Sequence, residues 1–164
     1  MLIIARSMSE LSFEALMKIY IEGNTEHGIE QWPGKSEAER LALAEQDFYR
    51  YLQERFFVKP DAVYALWVVR GKYVSALRLE PNRDGLLMEA LETAPEERRK
   101  GYATALIHAV QNWIGRGKIY SHVSKLNTAS LAAHRCCGFH MYLNHCVRAD
   151  GTINENAYTM CYEA

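Results

Sequence analysis

Three apolar runs stand close together in the middle of the chain, at residues 62–69, 73–79 and 86–93. The first two are separated by a short turn that contains Gly71, and a polar loop from Pro81 to Gly85 leads into the third. Runs of this length with such short turns between them are typical of strands that pair in antiparallel order. The sequence therefore predicts a three-stranded antiparallel meander, around which the remaining elements must be arranged.

Helical and extended patterns alternate on both sides of this meander. A short strand at 2–6 precedes a helix capped by Ser9, and the stretch 23–34, rich in chain breakers, is expected to be a loop. Ser36 and Glu39 form a capping box at the start of a second helix. After the meander we predict a helix over 98–114, a strand over 118–125, a helix over 128–137 capped by Asn127, and strands over 140–148 and 157–163. This order, βααβββαβαββ, indicates a mixed α/β fold in one domain over residues 1–164, since no repeat or linker divides the chain.

Composition limits the classes of partner. The 164 residues are 49% hydrophobic, which suits a domain with its own core, and a formal net charge of -1 argues against nucleic-acid binding through a broad basic field. No apolar run approaches the length of a membrane span, and the apolar start is too short for a signal peptide, so we expect a cytoplasmic protein without a membrane partner. The four cysteines are expected to be reduced. Because Cys136 and Cys137 are adjacent on a predicted helix and point in different directions, we expect no metal site.

A strand, a short loop marked by Pro95 and a helix start rich in small residues follow one another at 86–104. Free backbone N–H groups at a helix start bind anions, and the helix dipole strengthens that attraction. Gly101 and Ala103 would let a phosphate approach the backbone closely, and basic residues lie beside it. The pattern predicts a phosphate or diphosphate site, although an isolated Arg-x-x-Gly-x-Ala is also compatible with a solvated helix end.

Two motifs together resemble those of the GNAT N-acetyltransferases. Arg98-x-x-Gly101-x-Ala103, after a strand and before an amphipathic helix, is similar to that family's Gln/Arg-x-x-Gly-x-Gly/Ala diphosphate motif. The segment from Asn127 to Gly138-Phe139 resembles the family's later helix, and the order of elements agrees over nearly the whole chain. The resemblance implies the GNAT fold, a mostly antiparallel central sheet flanked by helices, and an enzyme that uses acetyl-coenzyme A as cosubstrate.

The resemblance also implies where the cofactor lies. The strand before the loop would bond the pantetheine arm through its main chain, and that strand and the one at 118–125 would splay apart after a bulge to receive it. The diphosphate would rest on backbone amides at the helix start, and Asn127 would contact the arm. The cofactor-binding residues expected on this basis are Leu91, Glu92, Thr93, Arg98, Arg99, Lys100, Gly101, Tyr102, Ala103, Thr104 and Asn127.

Acyl transfer from a thioester to an amine needs the two reactants held together, with smaller help from an acid and a base. Glu89 interrupts an apolar strand, on the same face as Leu87 and Leu91 if no bulge intervenes, and is our first candidate base, although it is also placed to pair with Arg78. Glu92, His122 and Ser124 are weaker candidates, and a water relay is an alternative. His134 stands where relatives carry a tyrosine acid, and it would either protonate the leaving thiolate or only pack against the cofactor.

The acceptor is expected to be a primary amine of a small molecule, attacked directly in a ternary complex. By resemblance its pocket lies near the first two helices, where Glu26, Glu30 and Trp32 would offer acidic and aromatic surfaces to a cation, with His122 as a further contact. Alternatives are a protein or peptide amine, a coenzyme A-binding regulator with weak catalysis, and an unrelated α/β domain. Either a monomer or a homodimer is compatible with the sequence.

Overall fold

A seven-stranded sheet runs through the computed structural model, which describes residues 1–148 and 150–164. The described residues form nine strands, of which all but β7 and β8 belong to this sheet: β1 (Leu2–Ala5), β2 (Val63–Val69), β3 (Lys72–Asn82), β4 (Gly85–Thr93), β5 (Lys118–Ser124), β6 (His140–Leu143), β7 (Cys146–Val147), β8 (Ile153–Asn154) and β9 (Ala157–Glu163). The sheet order is β1-β2-β3-β4-β5-β9-β6, and β4–β5 is the parallel pair among antiparallel neighbours. The predicted meander and the mostly antiparallel α/β fold are confirmed.

The described residues include five α-helices. They are α1 (Phe13–Ile19), α2 (Ile21–Gln31), α3 (Glu37–Tyr51), which continues into a π-helical turn (Leu52–Phe56), α4 (Tyr102–Ile114) and α5 (Thr128–Cys136). On one face, Leu106, Ile107 and Val110 of α4 and Leu131 of α5 pack in a buried cluster with the strands. On the other, residues of α1 and the π-helical turn form a second cluster around Tyr64. Burial of both apolar faces positions the central strands between two helical layers.

The predicted helix caps are formed at two of the three sites. Ser36 and Glu39 bond each other's backbone N–H groups in a capping box, and Asn127 accepts from the Ser130 N–H at 3.0 Å. The cap predicted at Ser9 was wrong, because the first helix begins later, where the Ser12 hydroxyl accepts from the Ala15 N–H.

The loop predicted at 23–34 was wrong, because most of it is helix α2. Gly28 is buried where α2 meets α3, and a Cβ on it would lie 2.9 Å from the Arg40 carbonyl oxygen. Glycine is therefore needed there for close helix packing and does not break the helix. The sequence pattern reports only the low helix propensity of glycine. The contact between α2 and α3 outweighs that propensity.

The strand predicted over 140–148 is divided. β6 pairs with β9 in the main sheet, whereas β7 pairs with β8 in a separate two-stranded ribbon. Within the described parts of the chain, no helix combines the length and the apolar character needed to cross a bilayer.

Candidate functional site

The parallel strands β4 and β5 separate halfway along their length. They pair from Gly85 with Lys118 to Met88 with Ser121, and beyond that point β5 continues beside β9 while β4 continues beside β3. The pairing of β4 with β3 is also interrupted, since the register passes from Glu89 directly to Glu92. Ala90 in between has φ +51°, so a bulge occupies β4 where the strands diverge. The splayed pair expected after a bulge is present.

A tyrosine hydroxyl holds the bulge. Tyr20, buried between α1 and α2, donates a 2.7 Å hydrogen bond to the Ala90 carbonyl oxygen. Burial raises the pKa of Tyr20 well above its ordinary value, so the hydroxyl stays protonated as a donor. Because Ala90 and Leu91 lie outside the register with both neighbouring strands, and Tyr20 bonds the Ala90 carbonyl, the Leu91 main chain is left facing the opening. The sequence pattern identified Tyr20 only as an apolar helix position.

Six consecutive backbone N–H groups, from Arg99 to Thr104, have no acceptor among the described residues. Arg99 and Gly101 have left-handed φ values of +64° and +78°, which end the preceding turn and place Gly101 as the residue before α4. The helix therefore starts at Tyr102, and the start predicted at residue 98 was wrong. A Cβ on Gly101 would meet nothing within 4 Å, so the space in front of these N–H groups is open. Open, unpaired donors at a helix start are the geometry that binds phosphate oxygens.

The basic side chains of this loop are largely engaged by carboxylates. Arg98 donates to Glu22 of α2 at 2.6 Å and to the Thr93 carbonyl oxygen at 3.2 Å, which ties the loop to β4 and α2. Lys100 bonds Glu97 at 2.7 Å. Among the predicted cofactor residues, the backbone N–H groups and the exposed Arg99 are therefore still available to bind an anion. Arg98 mainly connects the loop to β4 and α2.

A cleft of ≈ 430 Å³ opens in front of the loop. Its walls come from the end of β4, the start of α4 and the start of α5. Lining residues include Leu91, Glu92, Thr93, Arg98, Arg99, Gly101, Tyr102, Ala103, Asn127 and Ser130. Asn127 is exposed, and because its oxygen caps α5, its amide NH₂ is left to donate into the cleft. The structure thus brings most of the predicted cofactor residues together around one opening.

His134 lies behind this cleft and is 1% exposed. Its Nδ1 is 2.7 Å from the Ser130 carbonyl oxygen, which only accepts, so Nδ1 carries the proton and Nε2 accepts from the Ser121 hydroxyl at 3.0 Å. Burial lowers the pKa of His134, which the Ser130 contact offsets in part. The neutral imidazole therefore predominates at neutral pH, and Ser121, at the last position where β5 pairs with β4, is the group against Nε2.

A larger groove of ≈ 1010 Å³ lies on the opposite face of the sheet. Glu89 of β4 and His122 of β5 enter it side by side, each one residue beyond the last pair of the two strands. Leu87 lines it with Glu89, as alternation predicts, but Leu91 lines the cleft on the other side because the bulge intervenes. Glu89 is 3.8 Å from Arg78, an ion pair too long for a hydrogen bond.

Charged neighbours act on His122 inside this groove. Burial lowers the pKa of His122, the Glu89 carboxylate raises it and the Arg83 guanidinium lowers it further. The three groups are thus close enough to interact, and His122 is mainly neutral at neutral pH. Glu89 and His122 are the two predicted acceptor-side residues that the structure brings together.

The other predicted acceptor residues lie elsewhere. Glu26 and Glu30 are exposed on α2, Trp32 directly follows that helix with its ring edge-to-face against His27, and none of the three lines the groove. Glu26 instead acts on Glu92 at the mouth of the cofactor cleft, where burial, the largest cause, and nearby carboxylates raise the pKa of Glu92. Ser124 is exposed at the end of β5.

Comparison with known proteins identifies a family and a shared fold. A model of the acetyltransferase (GNAT) family matches residues 16–139. The structure resembles PaiA N-acetyltransferase from Thermoplasma acidophilum in complex with coenzyme A, with a TM-score of 0.62 at 14% identity over 100% of this chain and 99% of that one. It also resembles the ribosomal-protein-S18-alanine N-acetyltransferase from Escherichia coli, with a TM-score of 0.56 at 18% identity over 99% and 94% of the two chains. No curated protein matches the sequence. At these identities the solved structures establish the fold.

Proposed function

Because the chain belongs to the GNAT family of acetyltransferases, which transfer the acetyl group of acetyl-coenzyme A, we propose that its acceptor is a primary amine of a small molecule. The observation that carries the proposal is the opening between β4 and β5, with free N–H groups on one side and Glu89 and His122 on the other. A thioester held in the cleft and an amine held in the groove would meet at this opening. Direct attack in a ternary complex follows from that arrangement.

The cofactor cleft supports a division of roles along acetyl-coenzyme A. The N–H groups from Arg99 to Thr104 would hold the diphosphate, the Leu91 main chain would bond the pantetheine amide, and the Asn127 amide would donate to the same arm. An N–H group of the bulged strand would stabilise the negative charge that develops on the thioester oxygen. Tyr20 would position that strand without touching the cofactor.

The groove supports Glu89 as the base. An ammonium must lose a proton before it attacks, and Glu89 is half-buried, unclaimed by a hydrogen bond among the described residues, and adjacent to the opening. The neighbouring His122, mainly neutral, would accept a hydrogen bond from the same amine or take its place as base. Glu26, Glu30 and Trp32 stay predictions for the outer acidic surface near the cleft mouth.

The size and walls of the groove favour a small molecule over a peptide. Its lining comes from the π-helical turn, β3, β4, β5, β7 and β9, which surround it on several sides. A peptide acceptor would need a groove open at both ends to carry its chain past the opening. Walls on several sides instead favour a compact ligand that inserts its amine toward Glu89.

The function is tested by incubating the protein with acetyl-coenzyme A and a panel of free amines and peptides. We expect thiol release and acetylated product in equal amounts with at least one small amine, measured by a thiol assay and mass spectrometry. Varying both substrates should give intersecting initial-velocity lines. Parallel lines would indicate an acyl-enzyme and contradict direct attack, and acetylation of peptides alone would contradict the small-molecule acceptor.

His134 is retained as the proposed donor to the leaving thiolate, acting through Ser121. An imidazolium proton on Nε2 would pass to the Ser121 oxygen as the Ser121 proton passes to the thiolate. Because burial lowers the pKa of His134, few molecules hold that proton at neutral pH, and the contribution is small. We expect His134→Phe to lower kcat about tenfold with unchanged coenzyme A affinity.

The difference between the wild type and His134→Phe should widen as pH falls toward the lowered pKa, because the imidazolium fraction rises. Kinetics at several pH values and calorimetric titration of coenzyme A measure both quantities. Ser121→Ala should reproduce the loss if the relay operates. Equal rates for the wild type and His134→Phe at every pH would reduce His134 to a packing role.

A further inference from the structure

Positive charge outweighs negative charge in the groove that contains Glu89. Four of its lining residues are cationic at neutral pH (Arg55, Lys59, Arg83, Arg148) and three are carboxylates (Glu54, Glu80, Glu89). Lys59 and Glu80 neutralise each other through a 2.6 Å ion pair. Three arginines then remain with two carboxylates, Glu54 and Glu89, which leaves the groove lining with an excess of one positive charge.

None of Arg55, Arg83 and Arg148 takes part in a salt bridge or a side-chain hydrogen bond among the residues the structure describes, whereas Lys59 in the same groove is paired with Glu80. Hydrogen bonds from Thr152 and, to a smaller extent, the charge of Arg148 lower the pKa of Asp150, so Arg148 acts on that carboxylate only at longer range. The three arginines come from three separate elements: the π-helical turn, the β3–β4 turn and the end of β7. Arginine side chains that line one cavity from separate elements are suited to bind a carboxylate or a phosphate there.

The distance between these arginines and Glu89 determines how far apart the anionic group and the amine of a ligand must lie. Four residues of extended strand separate Gly85, at the β3–β4 turn, from Glu89, or about 13 Å. The Arg83 side chain shortens that gap, since its guanidinium is near enough to His122 to influence the imidazole's protonation. A ligand that joins Glu89 to Arg83 would therefore carry its two charged groups several bonds apart.

We propose that the acceptor is a small amine that also bears an anionic group, a carboxylate or a phosphate, held by Arg55, Arg83 and Arg148 while its amine faces Glu89. This inference rests on the proposed function and specifies its substrate class. It excludes polyamines as preferred acceptors, because their second ammonium would face the guanidinium groups.

The test compares acceptors that differ only in the anion. The wild type is assayed with β-alanine, 4-aminobutyrate and 6-aminohexanoate, each against its primary amide, with O-phosphoethanolamine against ethanolamine, and with putrescine. We expect kcat/KM to be at least about tenfold higher for an anionic acceptor than for its neutral counterpart, as charge-assisted hydrogen bonds provide. The amino acid series distinguishes a carboxylate and reports the spacing, and O-phosphoethanolamine distinguishes a phosphate.

Substitution of single arginines then shows which residues produce the preference for an anionic acceptor. Arg83→Gln and Arg148→Gln should each reduce the anionic-to-neutral ratio of kcat/KM about tenfold, through a higher KM for the anionic acceptors. Arg116→Gln is the matched control, because Arg116 is also exposed but lies between α4 and β5, outside the groove lining. The control should keep the wild-type ratio.

Two outcomes overturn the inference, and they are distinguishable. If the amides or putrescine are acetylated as fast as the anionic acceptors, the substrate class is wrong while the proposed function stands. If coenzyme A binds but no amine in a broad panel is acetylated, the proposed function fails and this inference with it.

Discussion

Gly101→Glu is expected to abolish coenzyme A binding, with a loss of at least about 100-fold in affinity. The substitution places a carboxylate directly in front of the unpaired N–H groups at the start of α4, where the diphosphate would rest. The new charge both occupies the positive end of the helix and repels the ligand. Isothermal titration calorimetry with coenzyme A measures the effect.

The chain offers a control for this variant at the other end of α4. Gly115 follows that end with the same φ of +78°, and a Cβ there also meets nothing within 4 Å, but its ψ is -92° where that of Gly101 is 9°. Gly115→Glu therefore adds the same charge away from the cleft, with a backbone strain at least as large as that of Gly101→Glu. It should melt no higher than Gly101→Glu yet bind coenzyme A like the wild type, so that instability does not explain a loss of binding at Gly101. Equal affinities for the two variants would place the diphosphate elsewhere.

The parts of the fold that depend on local patterns were predictable. The meander follows from apolar runs and short turns, and the caps at Ser36 and Asn127 follow from side chains that bond neighbouring N–H groups. The open helix start at Gly101 was also predictable, because a glycine and small residues before a helix are visible in the sequence. Each of these features is determined by residues a few positions apart.

Features that depend on contacts between distant residues were not predictable. Gly28 resembles a helix breaker until the Arg40 backbone is seen against it. The left-handed conformation of Arg99 and the bulge at Ala90 belong to residue types that rarely adopt positive φ, so no sequence signal marks them. The bulge in particular sends Leu91 and Glu89 to opposite faces of the sheet, which alternation alone cannot foresee.

The groove that contains Glu89 could also be predicted only in part from the sequence. Glu89 was singled out because burying a carboxylate in an apolar strand costs free energy unless the carboxylate is paired or lies in a cavity. Arg55, Arg83 and Arg148 are ordinary surface residues in the sequence, and their shared cavity arises only from the folding of three distant segments. Glu22 of α2, by contrast, lies against the loop before α4, where it accepts a hydrogen bond from Arg98.

Glu89→Gln is expected to lower kcat about 100-fold with little change in coenzyme A affinity. Glutamine keeps the shape of the side chain beside Arg78 but cannot take a proton from the attacking ammonium, and general-base help contributes roughly that much. In the proposed arrangement coenzyme A would lie on the other side of the opening, so its affinity should be unaffected. Steady-state kinetics at saturating acetyl-coenzyme A and calorimetry with coenzyme A separate the two quantities.

Glu80→Gln provides the control for charge alone, since Glu80 lines the same groove on the neighbouring strand and its carboxylate is held by Lys59 at 2.6 Å. It should retain most of the wild-type kcat. The deficit of Glu89→Gln should also shrink with an acceptor whose amine is already uncharged at the assay pH, because no proton then has to be removed before attack. A deficit that is the same for both kinds of acceptor would mean that Glu89 positions the amine, and a rate within about threefold of the wild type would assign proton removal to water.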